Sequence, residues 1–163
     1  MGTRTSSHRP PDPGVTFRPA RADDVPRIVE LISSAELPAT FVAEFLDSFV
    51  VGERDGAVIA CGGVEVYGSC AVIRSVVVDS PAQGKGIGLG IARRLMDDAR
   101  SAGASDLYLF TAQAHAFWLR LGFADVTFQE WKEPARACWQ YQFLSQNRDV
   151  VPDIHTMWRR ASP

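Results

Sequence analysis

The sequence has no uninterrupted apolar run near the roughly 18 residues that cross a bilayer, and its polar, proline-rich opening lacks the apolar centre of a secretory leader. A membrane-spanning or exported chain is therefore not expected, and a cytoplasmic one is. Cysteine is scarce. Cys61, Cys70 and Cys138 are too few for a disulfide framework and too scattered for zinc-ligand spacing, so they are expected as small buried hydrophobes. Histidine is equally rare: His8, His115 and His155 stand too far apart to suggest a metal cluster, and no metal is expected. Nor does one sign of charge dominate. Seventeen basic and 19 acidic residues, interspersed, leave no basic stripe for nucleic acid or a membrane surface.

What is present suits one core. The 163 residues, 46% of them hydrophobic, suffice for a single soluble domain and leave no room for a second. Residues 1–14, with Pro10, Pro11 and Pro13, have almost nothing to bury and read as a disordered tail, leaving 15–160 as the domain. Val15–Arg18 reads as a strand, and Ala22-Asp23-Asp24 as a helix start before Val25, Ile28, Val29 and Ile32. A short helical pattern follows through Phe41, Phe45 and Leu46. Strands are expected at Ser48–Glu53, Ala57–Val66 and Ala71–Val78, joined by turns at Arg54-Asp55-Gly56 and Gly68-Ser69. Ile87, Ile91, Leu95 and Ala99 have helical spacing, with Gly103 as a stop. Beyond it come a strand at Leu107–Thr111, a helix at His115–Leu121 and a strand at Phe123–Phe128. Trp139–Leu144 and Ile154–Trp158 both have strand composition, and the latter is expected as the final member of the sheet.

Between the apolar strand ending at Val78 and the helix containing Ile87 lies Gln83-Gly84-Lys85-Gly86-Ile87-Gly88. A glycine-dense strand-to-helix turn aims unpaired backbone N–H groups outward and lets an anion approach without a Cβ in the way; Lys85 adds positive charge. The spacing is neither that of dinucleotide-binding folds nor that of the P-loop. A tight helix cap without a ligand is the alternative.

These six residues fit the pattern [Gln/Arg]-x-x-Gly-x-[Gly/Ala], and the chain resembles the GNAT superfamily of N-acetyltransferases there. It also does so in element order from Val15 to Phe128 and in the helix Ala114–Phe123, which ends in Gly-Phe. The resemblance implies an α+β (mixed α/β) fold with a mostly antiparallel twisted sheet of six to seven strands and about four helices. It implies acetyl-CoA as the donor, with the amides of Val76, Val77 and Val78 along its pantetheine arm. Gln83, Gly84, Lys85, Gly86, Ile87 and Gly88 would then lie around the pyrophosphate, and Thr111, Phe117 and Trp118 would line the groove. Strands four and five would splay after Val78 and Thr111. A homodimer is common in such families. Where many members carry a tyrosine that protonates the departing thiolate, this chain has Trp118, whose indole N–H is not a practical acid.

Acetyl transfer also needs an amine stripped of its proton. If Gly68-Ser69 is a two-residue turn, Tyr67 pairs with Cys70, and Glu65 opposite Val72 lies diagonal to Arg74 on one face. Glu65 is then a base, acting directly or through water, and Arg74 the partner of a substrate carboxylate; a structural ion pair at the sheet surface is the other reading. Tyr67 and Trp139 are candidates for lining the amine pocket or for packing the core, and His115 is the other titratable candidate for the base, with a solvated or capping role as the alternative.

Shorter segments, among them Leu37-Pro38, Gly63-Val64-Glu65, Ile73-Arg74-Ser75 and Leu107–Thr111, resemble the small N-acetyltransferases of arsenic-resistance operons. That likeness implies a small amino-acid-like amine as acceptor, including arsenic- or phosphinic-acid analogues. Acetylation of a protein or peptide and silent binding of acetyl-CoA remain the alternatives.

Overall fold

The computed structural model describes residues 12–161. Its strands are β1 (Thr16–Pro19), β2 (Phe49–Arg54), β3 (Ala57–Tyr67), β4 (Cys70–Val78), β5 (Asp106–Thr111), β6 (Ala124–Asp125) and β7 (His155–Arg160). The helices are α1 (Val25–Ser34), α2 (Ile87–Ser101), α3 (His115–Arg120) and α4 (Trp139–Gln146). The seven strands form one sheet in the order β1-β2-β3-β4-β5-β7-β6, in which β4–β5 is the parallel pair. This is the expected α+β architecture.

Alternation along the strands divides the core between the sheet's two faces. Val50, Ile73, Leu107 and Leu109 point to the face covered by α2, whose Ile87, Ile91, Leu95 and Ala99 are all buried. Phe49, Val51, Cys61 and Val77 point the other way, under Ile28, Leu31 and Ile32 of α1. On that same side Val72 and Tyr108 carry an aromatic cluster around Trp131, which stacks 4.5 Å from Tyr108 and 4.6 Å from Phe110. α2 lies very close to the sheet. A Cβ on Gly90 would come 2.4 Å from the Phe17 ring, and one on Gly62 would come 2.7 Å from Ile91, so both positions exclude a side chain.

The predicted turns are present: Asp55 and Gly56 take φ of 51° and 78° between β2 and β3, and Gly68 takes 58° between β3 and β4. Other expectations need correction. Phe41–Leu46 is a run of turns, with one 3-10 turn at Leu46–Ser48, because Phe41 adopts φ 63° and breaks the helical path. The strand expected at Phe123–Phe128 shrinks to Ala124–Asp125, and a 3-10 turn at Phe128–Glu130 leads the chain into the Trp131 cluster. Trp139–Leu144 is helix α4, not a strand. Its aromatic content serves packing, with Tyr141 5.3 Å from Trp131, and its N-terminus is held by Tyr141 N–H donating to Cys138 Sγ at 3.3 Å. The last strand joins the sheet as expected, and β7 does so between β5 and β6. Of the segment expected as a tail, Asp12 pairs with Arg54 and its carbonyl accepts from Val15 N–H at 3.0 Å; residues 1–11 lie outside the described ones.

One irregularity positions the site. The β3–β4 register shifts between Cys61 and Gly63, where Ser75 takes φ 57°. This bulge inserts one residue into the alternation of β4. Ile73 packs on the α2 side and so do Val76 and Val78, while Arg74 and Val77 both face the α1 side.

Candidate active site

At the end of β4 the chain is fixed before it turns. Asp79 N–H donates to Ile59 O at 2.8 Å, and its carboxylate accepts from Arg27 Nη2 of α1 at 2.7 Å. After a 3-10 turn at Ser80–Ala82, Gln83 Nε2 reaches back to Val78 O at 3.0 Å. Gly84 and Gly86 both adopt φ 78°, and Gly86 is the N-cap of α2 with no side chain capping the helix. The first N–H groups of α2 thus face outward without a side-chain acceptor. Ile87 is buried and anchors the turn, and Lys85 is exposed. Gly88 differs from its neighbours: it has no positive φ, and a Cβ there would meet nothing nearer than Val78 at 3.5 Å. Nothing in the fold itself requires glycine at that position.

Beside this turn the sheet opens. β4 and β5 pair from Cys70–Asp106 to Ile73–Leu109 and no further, so the splay begins earlier than Val78 and Thr111, at the position where Arg74 and the bulge start. Val76, Val77 and Val78 run along the open side of β4. Across the gap, Thr111 pairs with His155 of β7, and its Oγ1 accepts from Ala114 N–H at 3.1 Å, shaping the entry to α3. Phe117 is half-buried. Trp118 is only 5% exposed and packs edge-on against Phe123, in the core under α2.

Glu65 and Arg74 are brought together as the hairpin register implies. Glu65 is opposite Val72 and Gly63 is opposite Arg74, and Arg74 Nη1 donates to Glu65 Oε2 at 3.2 Å. The pair is not at the surface: the side chains are 3% and 2% exposed. Burying two charges is costly unless their other bonding capacity is met. Here Tyr67 O–H donates to Glu65 Oε1 at 2.5 Å, while Arg74 donates to Thr40 O at 2.7 Å and Ser75 Oγ at 3.3 Å. The guanidinium lies 5.5 Å from the Phe49 ring and 5.2 Å from Trp139. Burial, reinforced by the bond to Glu65, pushes the Tyr67 phenol well above its ordinary range, so it remains a proton donor. Trp139 Nε1 is buried and has no hydrogen-bond partner among the described residues.

The three cysteines are buried, as expected. Burial pushes Cys61 and Cys138 up to about 12, which makes them poor nucleophiles. The histidines depart from expectation. His115 and His155, 40 residues apart in sequence, stack with ring centroids 3.9 Å apart, and both approach Asp125. Their meeting depends on the insertion of β7 between β5 and β6, for which the sequence carries no local signal. The bulge at Ser75 was missed as well, although the Gly62-Gly63 pair in β3 is a signal for such an irregularity.

Residues 19–123 match the model of the acetyltransferase (GNAT) family. An amino-acid acetyltransferase of Mycobacterium tuberculosis is 31% identical over 130 residues, 74% of this chain and 74% of that protein. Among solved structures, a Mycobacterium tuberculosis protein in complex with CoA aligns at 26% identity and TM-score 0.75, covering 89% of this chain and 98% of that one. N-acetylglutamate synthase from Neisseria gonorrhoeae, complexed with coenzyme A and N-acetyl-glutamate, aligns at 23% identity and TM-score 0.78 over 91% of this chain. The chain spans 35% of the length of that larger enzyme. The curated relatives of Mycobacterium tuberculosis and Ralstonia nicotianae are named amino-acid acetyltransferases and not for arsenic resistance, which corrects the narrower resemblance. Among the described residues no helix is long and apolar enough to cross a membrane.

Proposed function

The chain belongs to the GNAT family of acetyl-CoA-dependent acetyltransferases, and from that premise we propose that its acceptor is the amine of a small molecule of the amino-acid class. The observation that carries this reading is the buried Arg74 at the first β4 position beyond the last β4–β5 pair. A cation held there, beside an opening in the sheet, suits an acceptor bearing a carboxylate. A guanidinium has five N–H donors; Glu65, Thr40 and Ser75 take three, leaving two for an acceptor carboxylate. Trp139 Nε1 offers a further donor next to it. The relatives named for amino-acid acetyltransferases support the same class of acceptor.

On this reading the diphosphate of acetyl-CoA lies on the outward N–H groups of Gln83–Gly88, and the pantetheine arm lies along Val76–Val78 in the splay. A ligand approaching closely at Gly88 explains a glycine that the fold does not demand. The acceptor ammonium loses a proton through water to Glu65, which is too buried to meet the amine directly and whose two oxygens are engaged by Tyr67 and Arg74. The amine nitrogen then attacks the thioester carbonyl carbon, the C–S bond breaks, and CoA leaves as a thiolate. With Trp118 buried where a tyrosine often stands, that thiolate takes its proton from water; a thiol with pKa of about 8.5 is a competent leaving group.

The test is CoA release from acetyl-CoA with free amino acids, their decarboxylated amines, arsenic- and phosphinic-acid analogues, and short peptides. Release with amino acids, weak with decarboxylated amines, and a raised acceptor KM in Arg74→Lys support the proposal. Peptides outperforming free amino acids, or decarboxylated amines reacting equally well, would overturn it.

A further inference from the structure

His115 opens α3, Asp125 lies on β6, and His155 begins β7. Two pairings bring them together. Asp125 is opposite Met157, which makes His155 its diagonal neighbour on the same face of the sheet. His155 is opposite Thr111, four residues before His115, so the short β5–α3 connection folds the second imidazole onto the first. His115 Nε2 is 2.9 Å from both Asp125 oxygens, His155 Nδ1 is 3.4 Å from Oδ1, and one ligand atom from each residue falls within 4.8 Å of the others.

From this convergence we infer that His115 Nε2, His155 Nδ1 and the Asp125 carboxylate form a binding site for a divalent transition cation of the zinc type. Two imidazoles and one carboxylate are a borderline-soft donor set, suited to zinc, nickel or copper and not to magnesium or calcium. Bonds of about 2.0–2.2 Å around a tetrahedral ion separate its ligand atoms by roughly 3.4 Å, close to the spacings already present. The ion would take the place of the hydrogen bond between His115 Nε2 and Asp125 and would engage His155 Nδ1, which makes no hydrogen bond to that carboxylate among the described residues. Three protein ligands leave a coordination position open, and Asp125 and His155 line a cleft of about 380 Å³, so water can fill it. The three cysteines are buried elsewhere and do not compete. Occupancy would fasten the start of α3 to β7 across Thr111. The site is independent of the reaction proposed above, and its test does not use activity.

The full chain, stripped with chelator and dialysed, is titrated with ZnCl2 by calorimetry and with Co2+ by visible absorption. One equivalent per chain is expected, with binding weakened about tenfold or more in His155→Ala and in Asp125→Asn, and unchanged in His8→Ala. Zinc should raise the Tm of the parent protein and not of those two variants. Because a variant can be perturbed in other ways, the imidazole NMR signals of the unmodified protein give a second readout, in which zinc shifts those of His115 and His155. Absence of saturable binding, parent-like binding by His155→Ala, loss of binding in His8→Ala, or imidazole signals that respond to pH and not to zinc would each overturn the inference.

Discussion

The glycine turn proposed for the donor and the Glu65–Arg74 pair proposed for the acceptor lie near the two ends of the same opening in the sheet and are built from opposite materials. The turn is backbone: Gln83–Gly88 presents N–H groups and glycines, has an exposed lysine, and among the described residues its one side-chain bond runs from Gln83 back to Val78. The proposed acceptor side is side chain: Glu65 and Arg74 are buried and paired, the half-buried Tyr67 donates to Glu65, and the half-buried Trp139 ring lies against the guanidinium. A backbone site tolerates almost any neighbours but cannot tolerate a Cβ where the ligand passes. A buried ionic site has the reverse sensitivity, because each member answers for the others' desolvation.

Substitutions should expose that contrast. Arg74→Ala leaves Glu65 buried and unpaired and should cost about 3–5 kcal/mol in denaturant unfolding, with much of it recovered when Glu65 is also replaced by leucine. A loss below about 1 kcal/mol would mean that water reaches the pair and that the contrast fails. Asp106, 2% exposed, accepts from Lys132 Nζ at 2.7 Å, Trp158 Nε1 at 2.9 Å and Ser105 Oγ at 2.8 Å. Asp106→Ala strands the indole N–H, and since Lys132 is largely exposed the expected cost is smaller, about 2–3 kcal/mol. Gly88→Ala should do the opposite to stability. It adds helix propensity and an ordinary contact, raising stability by up to about 1 kcal/mol while weakening CoA binding about tenfold. Parallel Tm and CoA-binding measurements check this, and unchanged CoA affinity would remove Gly88 from the donor site.

A smaller effect concerns acid. The bond from Arg18 holds Asp24 below its ordinary value of 3.8. For Asp106, burial pushes upward but is outweighed by the bonds from Lys132, Trp158 and Ser105. Both carboxylates are depressed in the folded state, so their stabilisation is complete above the unfolded value and drains away as pH falls through the folded ones. Unfolding midpoints should be flat from neutrality to about pH 5 and fall below about pH 4, less steeply in Asp24→Asn. The smallest expected signal is a null one: the native protein should give no rapid reaction with a thiol reagent, and unfolding should release three thiols.

The same contrast explains what could be read in the sequence. A backbone turn must be written as glycines at fixed spacing, so the turn that opens α2 was legible from Gln83 to Gly88. The Glu65–Arg74 diagonal was legible because a two-residue turn at Gly68-Ser69 fixes register across a hairpin. Its burial was not, since Thr40 and Trp139 arrive from distant segments. Aromatic composition misdirected the reading of α4: Trp139 and Tyr141 are there to pack, and strand-like content does not separate the two uses. The insertion of β7 between β5 and β6 is a topological choice with no local mark, and the meeting of His115 with His155 was hidden with it.

The extra residue at Ser75 makes β4 sensitive to parity. Deleting that one residue would remove the bulge and leave the flanking side chains facing as they do, because strict alternation from Ile73 and Arg74 already puts Val76 and Val78 toward α2 and Val77 toward α1. Removing Val76 as well would put the remaining valines out of phase, sending Val77 toward α2 and Val78 toward α1. Changes of length in this stretch should therefore be graded by whether they are odd or even before they are graded by size.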